Sequence, residues 1–140
     1  VGTVICFESA FGPLMRASTR AGAQAIVVTT NNRSYRRSPN SAQHLALTQM
    51  NAAAVGRPVV HASVSGISAV VDAQGNVRHR TRLFHNTAVT TRIVTTTGET
   101  PYVRFGDWVE WGSRLAVLGA LAQGIHRRRL ARLANTRSEP

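Results

Sequence analysis

Two apolar runs separated by a short helical segment occupy the first thirty residues and constrain the fold more than any other feature. Residues 1–9 begin with a β-branched stretch that predicts a strand ending at Cys6. The Gly-Pro pair at 12–13 introduces a helix that stops at Gly22, because proline favours the first turn of a helix and glycine its end. The apolar run 23–30 predicts a second, buried strand. A strand–helix–strand unit of this kind places two parallel strands side by side and predicts an α/β fold.

Cys6 is the only cysteine in the chain, and it stands where the first predicted strand gives way to a turn. Enzymes with α/β folds often present a nucleophile at such a turn, where the side chain is exposed and backbone N–H groups are free to stabilise an oxyanion. The alternative is that a lone cysteine after a strand is a small buried hydrophobe. One cysteine excludes an intramolecular disulfide and cannot by itself build a cysteine-based zinc site.

The segment that follows the second strand is polar and leaves the carboxyl end of that strand. Residues 31–39 lack periodicity and belong to the rim at which α/β sheets bind ligands. Asn31 and Tyr35 are therefore candidate substrate-binding residues, with a merely solvated connection as the alternative. His44 lies in the first turn of a helix predicted over residues 40–55. It is either a site residue or a histidine bonded to local structure.

From Pro58 onward, apolar and polar residues alternate with a period of two, which is typical of half-exposed strands. The predicted strands cover residues 59–64, 67–71, 77–82 and 87–94, with a turn over 72–76. The last of them is expected to close the sheet region. Parallel strands followed by an antiparallel meander predict an α/β sandwich.

A hydrophobic helix is predicted after a linker over residues 96–107. Residues 108–126 carry two tryptophans at one end, and three arginines, 127–129, come directly after them. The uncharged core is shorter than the roughly 20 residues that cross a bilayer, but these flanks are typical of a transmembrane helix. We therefore predict a C-terminal membrane-spanning helix and a basic cytoplasmic tail over 127–140. An amphipathic helix on the protein or the membrane surface is the alternative.

Arginine supplies all of the positive side-chain charge. The chain has 17 basic residues against 6 acidic ones, a net charge of +11, and no lysine. Such a basic domain is a fair candidate for nucleic-acid binding. The arginines are scattered, however, and no helix-turn-helix, zinc-finger or aromatic RNA-binding motif accompanies them. A solvated basic surface without a nucleic-acid partner is the prediction.

Several short motifs occur in an order that resembles one enzyme family. The motifs are Ile5-Cys6-Phe7-Glu8, the loop opening with Asn31, Gln43-His44, Arg57-Pro58, residues 65–72 with Gly75, and residues 96–108. In this order they resemble the nitrilase, or carbon–nitrogen hydrolase, superfamily, and more closely its membrane-bound branch, the apolipoprotein N-acyltransferases. The resemblance implies a partial nitrilase-type α-β-β-α sandwich over residues 1–95, followed by the linker and the hydrophobic helix.

The resemblance also implies a mechanism. In this family a Glu–Lys–Cys triad takes an acyl chain from a phospholipid as a thioester and passes it to the α-amino group of a lipoprotein's lipidated N-terminal cysteine. Cys6 matches the nucleophile. Glu8 matches an acidic catalytic residue that the family keeps beside it, which would orient the catalytic lysine or the incoming amine. The backbone N–H of Phe7 is a candidate oxyanion donor. The triad's glutamate and lysine precede its cysteine in the family. We therefore expect them upstream of Val1, and expect residues 1–140 to be a C-terminal fragment that is inactive alone.

The implied partners are a phospholipid acyl donor, a lipidated apolipoprotein acceptor and a membrane, with no cofactor and no metal. The implied location is the bacterial inner membrane, with the catalytic domain on the extracytoplasmic face. The chain departs from the family at residues 31–36, where Asn-Asn-Arg-Ser-Tyr-Arg replaces a pattern like Asn-Asp-Ala-Trp-Phe-Gly, and at Asn51 and Ala54. Two other functions stay open: a soluble nitrilase-like amidase acting through the same thioester, and a basic module that binds nucleic acid or anionic lipid.

Overall fold

Five strands form one mixed sheet in a computed structural model, which describes residues 1–135. The strands are β1 (Gly2–Ile5), β2 (Ile26–Thr30), β3 (Val59–Ser63), β4 (Ala69–Val71) and β5 (Val77–Arg80). Their order in the sheet follows their order in the chain. The first three strands are parallel to one another, and β4 and β5 add an antiparallel meander.

The helices are α1 (Gly12–Arg20), α2 (Asn40–Val55), α3 (Pro101–Phe105) and α4 (Trp108–Asn135), and two 3₁₀ helices cover Cys6–Ala10 and Arg33–Tyr35. Helix α1 packs on β1, α2 packs on β3, and the two helices contact each other. The buried residues of α2 recur every three or four positions and form one face; they are Ser41, His44, Leu45, Thr48, Asn51, Ala52 and Val55. Gly56 ends α2 at a φ of 63°, the left-handed conformation that glycine adopts without strain.

The hydrophobic core lies between the helices and one face of the sheet. Its apolar members include Met15, Ile26, Val28, Leu45, Val55, Val59, Val71 and Val103. Burial alternates along β1 to β4, so that successive side chains point toward the helices and away from them. On the opposite face Ile5 remains 63% exposed, and Thr29 and Ala62 are also exposed.

The predicted strand–helix–strand unit is confirmed, because β1 and β2 are parallel neighbours connected through α1. The predicted meander is also present, with shorter strands than the sequence indicated. The predicted strand over residues 87–94 is wrong. Its alternating side chains suit a strand, but within residues 1–135 its backbone pairs with no neighbouring strand, and a strand exists only through such a ladder.

The chain divides into two compact units, Val1–Gly106 and Asp107–Pro140. The hydrophobic segment of the second unit is helical, as expected, and forms α4. No helix within the described part of the chain is both long enough and apolar enough to cross a membrane, which corrects the predicted spanning helix. The physical reason is charge: only residues 115–126 separate Arg114 from Arg127, whereas a span needs roughly 20 apolar residues. The predicted cytoplasmic tail depended on that span, and residues 136–140 lie outside the described residues.

Candidate active site

Cys6 lies where β1 ends and the 3₁₀ helix Cys6–Ala10 begins. Its φ is 51°, a left-handed value that residues other than glycine rarely adopt. Because Ile5 is paired with Thr29 in the parallel sheet, the next residues along, Cys6 and Thr30, meet at the carboxyl edge. There the hydroxyl of Thr30 lies 3.3 Å from the partly buried Cys6 Sγ. A strained residue at a strand–helix junction is a geometry that presents a nucleophile.

The residues that follow Cys6 close this turn on itself. Glu8 Oε2 accepts a hydrogen bond of 2.7 Å from the backbone N–H of Ile5, so the carboxylate holds the turn. The ring of Phe7 is half exposed and meets the Phe11 ring edge to face, with centroids 5.6 Å apart. Glu8 therefore contacts the backbone just before the thiol, and the residues flanking Cys6 are fixed by local contacts.

His44, projecting from α2, lies beneath the turn and is 2% exposed. Its Nε2 lies 3.1 Å from the carbonyl oxygen of Cys6 and 2.9 Å from Ser9 Oγ. Its Nδ1 lies 3.2 Å from Asn32 Oδ1. Burial lowers the pKa of His44 below its ordinary value, against the smaller opposing effect of the hydrogen bond with the Cys6 carbonyl. The ring is therefore neutral at pH 7 and supports the backbone of Cys6.

A second buried layer lies below His44. His61 of β3 meets the His44 ring edge to face, with centroids 4.9 Å apart, and its Nδ1 is hydrogen-bonded to Thr48 Oγ1 at 3.0 Å. Burial, followed by repulsion from His44 once that ring is protonated, lowers the pKa of His61 to about 4. Asn51 Nδ2 donates to the carbonyl of Ser9 at 2.8 Å. This layer fixes the 3₁₀ helix from beneath.

Asn32 connects the loop after β2 with the site. It is 1% exposed, and its Oδ1 lies 3.0 Å from Thr30 Oγ1. Its Nδ2 has no hydrogen-bond partner within the described residues. Gly66 lies against this side chain so closely that a Cβ at Gly66 would come within 2.7 Å of Asn32 Nδ2. The amide is thus enclosed between the loop, α2 and the segment after β3.

The structure places the other predicted site residues around this centre. The Tyr35 ring meets the His44 ring edge to face at 6.4 Å, and the Phe7 ring lies 6.0 Å from His44. Asn31 lies on the exposed side of the loop, where its Oδ1 accepts from Ser65 Oγ at 2.8 Å. The sequence-based prediction did not include Ser9, Thr30, Asn32, Thr48 or His61. Thr30 could have been noticed as a polar residue at the carboxyl end of an apolar strand.

These groups suit covalent chemistry at sulfur: a strained cysteine, a hydroxyl in contact with its thiol, and a buried neutral histidine that holds its backbone. Among the described residues, no three His, Cys, Asp or Glu side chains lie close enough together to hold a metal ion.

Comparison with known proteins agrees with the family resemblance of the sequence motifs. The carbon–nitrogen hydrolase family model matches residues 1–102. The chain is 35% identical over 124 residues to the apolipoprotein N-acyltransferase of Geobacter metallireducens, covering 87% of this chain and 24% of that protein. It is 40% identical over 124 residues to that of Gloeobacter violaceus, covering 87% of this chain and 23% of the relative. The chain thus spans about a quarter of the length of these relatives.

The resemblance predicted from the sequence is therefore confirmed as a similarity. Among solved structures, a nitrilase-superfamily member of branch 10 from Saccharomyces cerevisiae matches with a TM-score of 0.50. That match has 22% sequence identity and covers 61% of this chain and 34% of the yeast chain. It supports the nitrilase-type α/β fold.

Proposed function

Because the chain belongs to the carbon–nitrogen hydrolase family, we propose that it carries the nucleophilic part of an N-acyltransferase. The proposed reaction moves an acyl chain from a phospholipid to the α-amino group of a lipidated cysteine at the N-terminus of an apolipoprotein. The identity of 35–40% with proteins named apolipoprotein N-acyltransferase supports this substrate class.

The observation that carries the proposal is the geometry of Cys6. Its left-handed backbone, with a φ of 51°, turns the thiol out of the end of β1, and Thr30 Oγ1 contacts its Sγ. A cysteine that served only as a small core residue would gain nothing from this conformation, which costs about 1 kcal/mol or more.

The proposed reaction proceeds through two displacements at one carbonyl carbon. The Cys6 thiolate attacks the ester carbonyl of the donor, so that a C–S bond forms, the ester C–O bond breaks and the departing alkoxide takes up a proton. The amine of the acceptor then attacks the thioester. A C–N bond forms, the C–S bond breaks, the amine loses a proton and the thiolate is restored.

Residues beside Cys6 have proposed supporting roles. The backbone N–H of Phe7 lies in the first turn of a 3₁₀ helix, where amides lack a partner within the helix and are free to donate to an oxyanion. Glu8 positions the turn through the Ile5 N–H. Tyr35 and Asn31 belong to the loop expected to contact substrate. Within residues 1–135 no carboxylate or amine is hydrogen-bonded to Cys6 Sγ, so the base is assigned to the Glu–Lys pair that the resemblance implies.

A phospholipid donor implies that the reaction occurs at a membrane. We place the catalytic domain on the extracytoplasmic face of the bacterial inner membrane, as the resemblance implies, and assign α4 to contact with the lipid surface. Support for the second assignment comes from its exposed apolar side chains, among them Trp108, Trp111, Leu115 and Leu118.

The test uses the full-length protein with a phospholipid labelled in its acyl chain. We expect a covalent acyl-enzyme that hydroxylamine cleaves at neutral pH, as it cleaves thioesters, and whose label maps to the Cys6 peptide. Cys6→Ser should abolish it, because a hydroxyl is far harder to ionise than a thiol. Ser18→Ala in α1 is the control and should retain the acyl-enzyme. Full transfer by Cys6→Ser would contradict the proposed nucleophile.

A Glu8 series then separates positioning from acid–base chemistry. Glu8→Gln keeps an oxygen that can accept the Ile5 N–H, so the acyl-enzyme should still form at a rate within a few-fold of the wild type. Glu8→Ala removes the acceptor, and the rate should fall about tenfold, corresponding to the roughly 1–2 kcal/mol of a lost hydrogen bond. Equal loss in both variants would indicate that the charge of Glu8 is required.

A further inference from the structure

Thr30, the last residue of β2, is in direct contact with the sulfur of Cys6. Its hydroxyl lies 3.3 Å from Cys6 Sγ and 3.0 Å from Asn32 Oδ1, and the residue is 5% exposed. Within the function proposed above, we propose that Thr30 is a catalytic residue that donates its hydroxyl hydrogen to the Cys6 thiolate. In this arrangement Asn32 and His44 act as positioning residues that keep the hydroxyl pointing at the sulfur.

The neighbours of His44 determine which of its ring nitrogens carries the hydrogen. Its Nε2 lies 3.1 Å from the Cys6 carbonyl oxygen. A carbonyl oxygen only accepts hydrogen bonds, and the hydroxyl of Ser9, 2.9 Å from the same nitrogen, donates its one hydrogen to that carbonyl. Nε2 therefore carries a hydrogen. Because burial lowers the pKa of this histidine, the ring is neutral and holds one hydrogen. Its Nδ1 is therefore an acceptor.

The tautomer of His44 in turn determines the orientation of the Asn32 amide. An acceptor at His44 Nδ1 requires a donor at the position 3.2 Å away, where the amide oxygen would face it lone pair to lone pair. Placing the NH₂ group there supplies that donor. It also gives the two hydrogens of Nδ2 a partner. In the opposite orientation of the amide, Nδ2 has no hydrogen-bond partner among the described residues. The amide oxygen then takes the unpaired position, which is less unusual for a buried carbonyl than for a buried N–H.

The orientation of the Asn32 amide determines where the hydroxyl hydrogen of Thr30 points. With the NH₂ group of Asn32 at 3.0 Å, Thr30 Oγ1 accepts a hydrogen bond from Asn32 and cannot direct its own hydrogen there. A threonine hydroxyl has one hydrogen. Among residues 1–135, the remaining neighbour at hydrogen-bond distance is Cys6 Sγ. A chain of donors therefore runs from the Asn32 amide to the Thr30 hydroxyl to the sulfur.

A hydrogen bond to a charged atom favours the charged form. Thr30 thus stabilises the thiolate before it attacks the donor and again when sulfur leaves the thioester. The buried position of Thr30 shields this hydrogen bond from competition by water.

The test measures the reactivity of the thiol in the full-length protein, independently of any acyl donor. The rate of alkylation by iodoacetamide is followed from pH 5 to pH 10 and read on the Cys6 peptide by mass spectrometry. In Thr30→Val the rate at pH 7 should fall about tenfold, the effect of losing one charge-assisted hydrogen bond. At pH 10 the variant and the wild type should converge, because the thiol is then ionised in both. Thr30→Ser, which keeps the hydroxyl, should follow the wild type.

The matched control is Thr19→Val, since Thr19 is also buried but its hydroxyl donates to the Met15 carbonyl of its own helix. Its profile should be unchanged. Thr30→Ala, which adds no bulk, replaces the valine variant if the latter unfolds early. Superimposable profiles for wild type and Thr30→Val, or an equal loss at every pH, would overturn the proposal.

Acyl-enzyme formation from phospholipid separates this inference from the proposed function. If the Thr30 dependence is found and the wild type forms no acyl-enzyme, the Thr30 assignment holds and the proposed function fails. If the wild type forms the acyl-enzyme and Thr30→Val is alkylated like the wild type, the Thr30 assignment fails and the function holds.

Discussion

Cys6, Arg36 and Phe84 each have a positive φ, which residues other than glycine rarely adopt, with values of 51°, 49° and 54°. At Cys6 the conformation presents the thiol at the end of β1. At Arg36, after the 3₁₀ helix Arg33–Tyr35, it falls on an exposed side chain in a loop. A conformation of this kind persists only because neighbouring structure enforces it, and it lowers the stability of the fold.

Arg36→Gly should therefore stabilise the protein. Glycine adopts the observed φ of 49° without steric cost, and the free energy of unfolding should rise by about 1 kcal/mol, or a few degrees in the midpoint of thermal unfolding. Arg33→Gly is the control, since Arg33 lies in the 3₁₀ helix at an ordinary φ, where glycine should lower the midpoint. A midpoint for Arg36→Gly at or below the wild type would contradict the strain.

The buried histidines predict a pH dependence of stability. The pKa of His61 falls from 6.5 to about 4 on folding. Between those values the unfolded chain binds a proton that the native protein does not, so stability rises with pH across this window. The contribution is fully present above pH 6.5 and is lost as the pH falls toward 4, for a total of about 3 kcal/mol. The lowered pKa of His44 acts in the same direction.

Thermal unfolding measured from pH 4 to pH 7.5 tests this. The midpoint of the wild type should drop steeply below pH 6.5, and His61→Gln should flatten the slope because glutamine does not titrate. His79→Gln, at an exposed position on β5, should leave the slope as it is. Identical slopes in all three proteins would show that His61 is not buried neutral.

At the scale of elements, Arg57 connects three segments. It is 6% exposed, and its guanidinium donates to the carbonyls of Ala23, Gly56 and Gly98 at 2.7, 3.0 and 2.6 Å. These carbonyls lie before β2, at the end of α2 and in the segment before α3. The planar fork of arginine reaches all three at once, which the single ammonium of lysine cannot do.

Arg57→Lys should consequently lower the free energy of unfolding by about 2 kcal/mol, since buried carbonyls lose donors. Arg57→Met, which keeps bulk but donates nothing, should cost more. Arg80→Lys on the exposed strand β5 is the matched control and should change the midpoint of thermal unfolding by less than a degree or so. Hydrogen exchange should also quicken in the segment around Gly98. No loss in Arg57→Lys would contradict the proposed connection.

Local sequence signals predicted some of these elements correctly and one of them wrongly. The apolar runs that form β1 and β2, and the Gly-Pro pair that begins α1, are local signals, and they predicted the parallel unit and the position of Cys6 correctly. The strand predicted over residues 87–94 failed because alternation indicates suitability for a ladder, and the ladder itself depends on a neighbouring strand.

The network around Cys6 could not be predicted from local patterns. Ser9, Thr30, Asn32 and His44 come from four different segments, and only the packing of α2 on the sheet brings them together. The sequence allows His44 to be either a site residue or one bonded to local structure, and in the structure it is buried with its Nε2 3.1 Å from the Cys6 carbonyl oxygen. In the sequence, Thr30 is only the last residue of an apolar run. The register of β1 and β2 places it beside the thiol.

At the scale of the whole molecule, α4 carries a series of large apolar side chains that are exposed, as some are elsewhere in the chain. Trp108, Trp111, Leu115 and Leu118 are each more than half exposed. Their spacing of three, four and three residues puts them on one face of the helix. Such a stripe suits contact with a lipid surface along the helix, and Val109 and Val117 are exposed on other faces. Glu110 and Arg114, which form an ion pair one turn apart, lie off this stripe.

The stripe of Trp108, Trp111, Leu115 and Leu118 predicts a periodic pattern of lipid exposure along α4. Spin labels are placed singly at positions 108–124 of the full-length protein in membranes, and their collision rates with oxygen and with a water-soluble nickel chelate are measured. Lipid exposure should peak near positions 108, 111, 115 and 118 with the helical period of 3.6, and water exposure should peak between them. A label at Arg80 of β5 supplies the water-exposed reference. A continuous lipid-exposed block would instead indicate a helix that crosses the bilayer, and water exposure at every position would contradict the assigned contact with lipid.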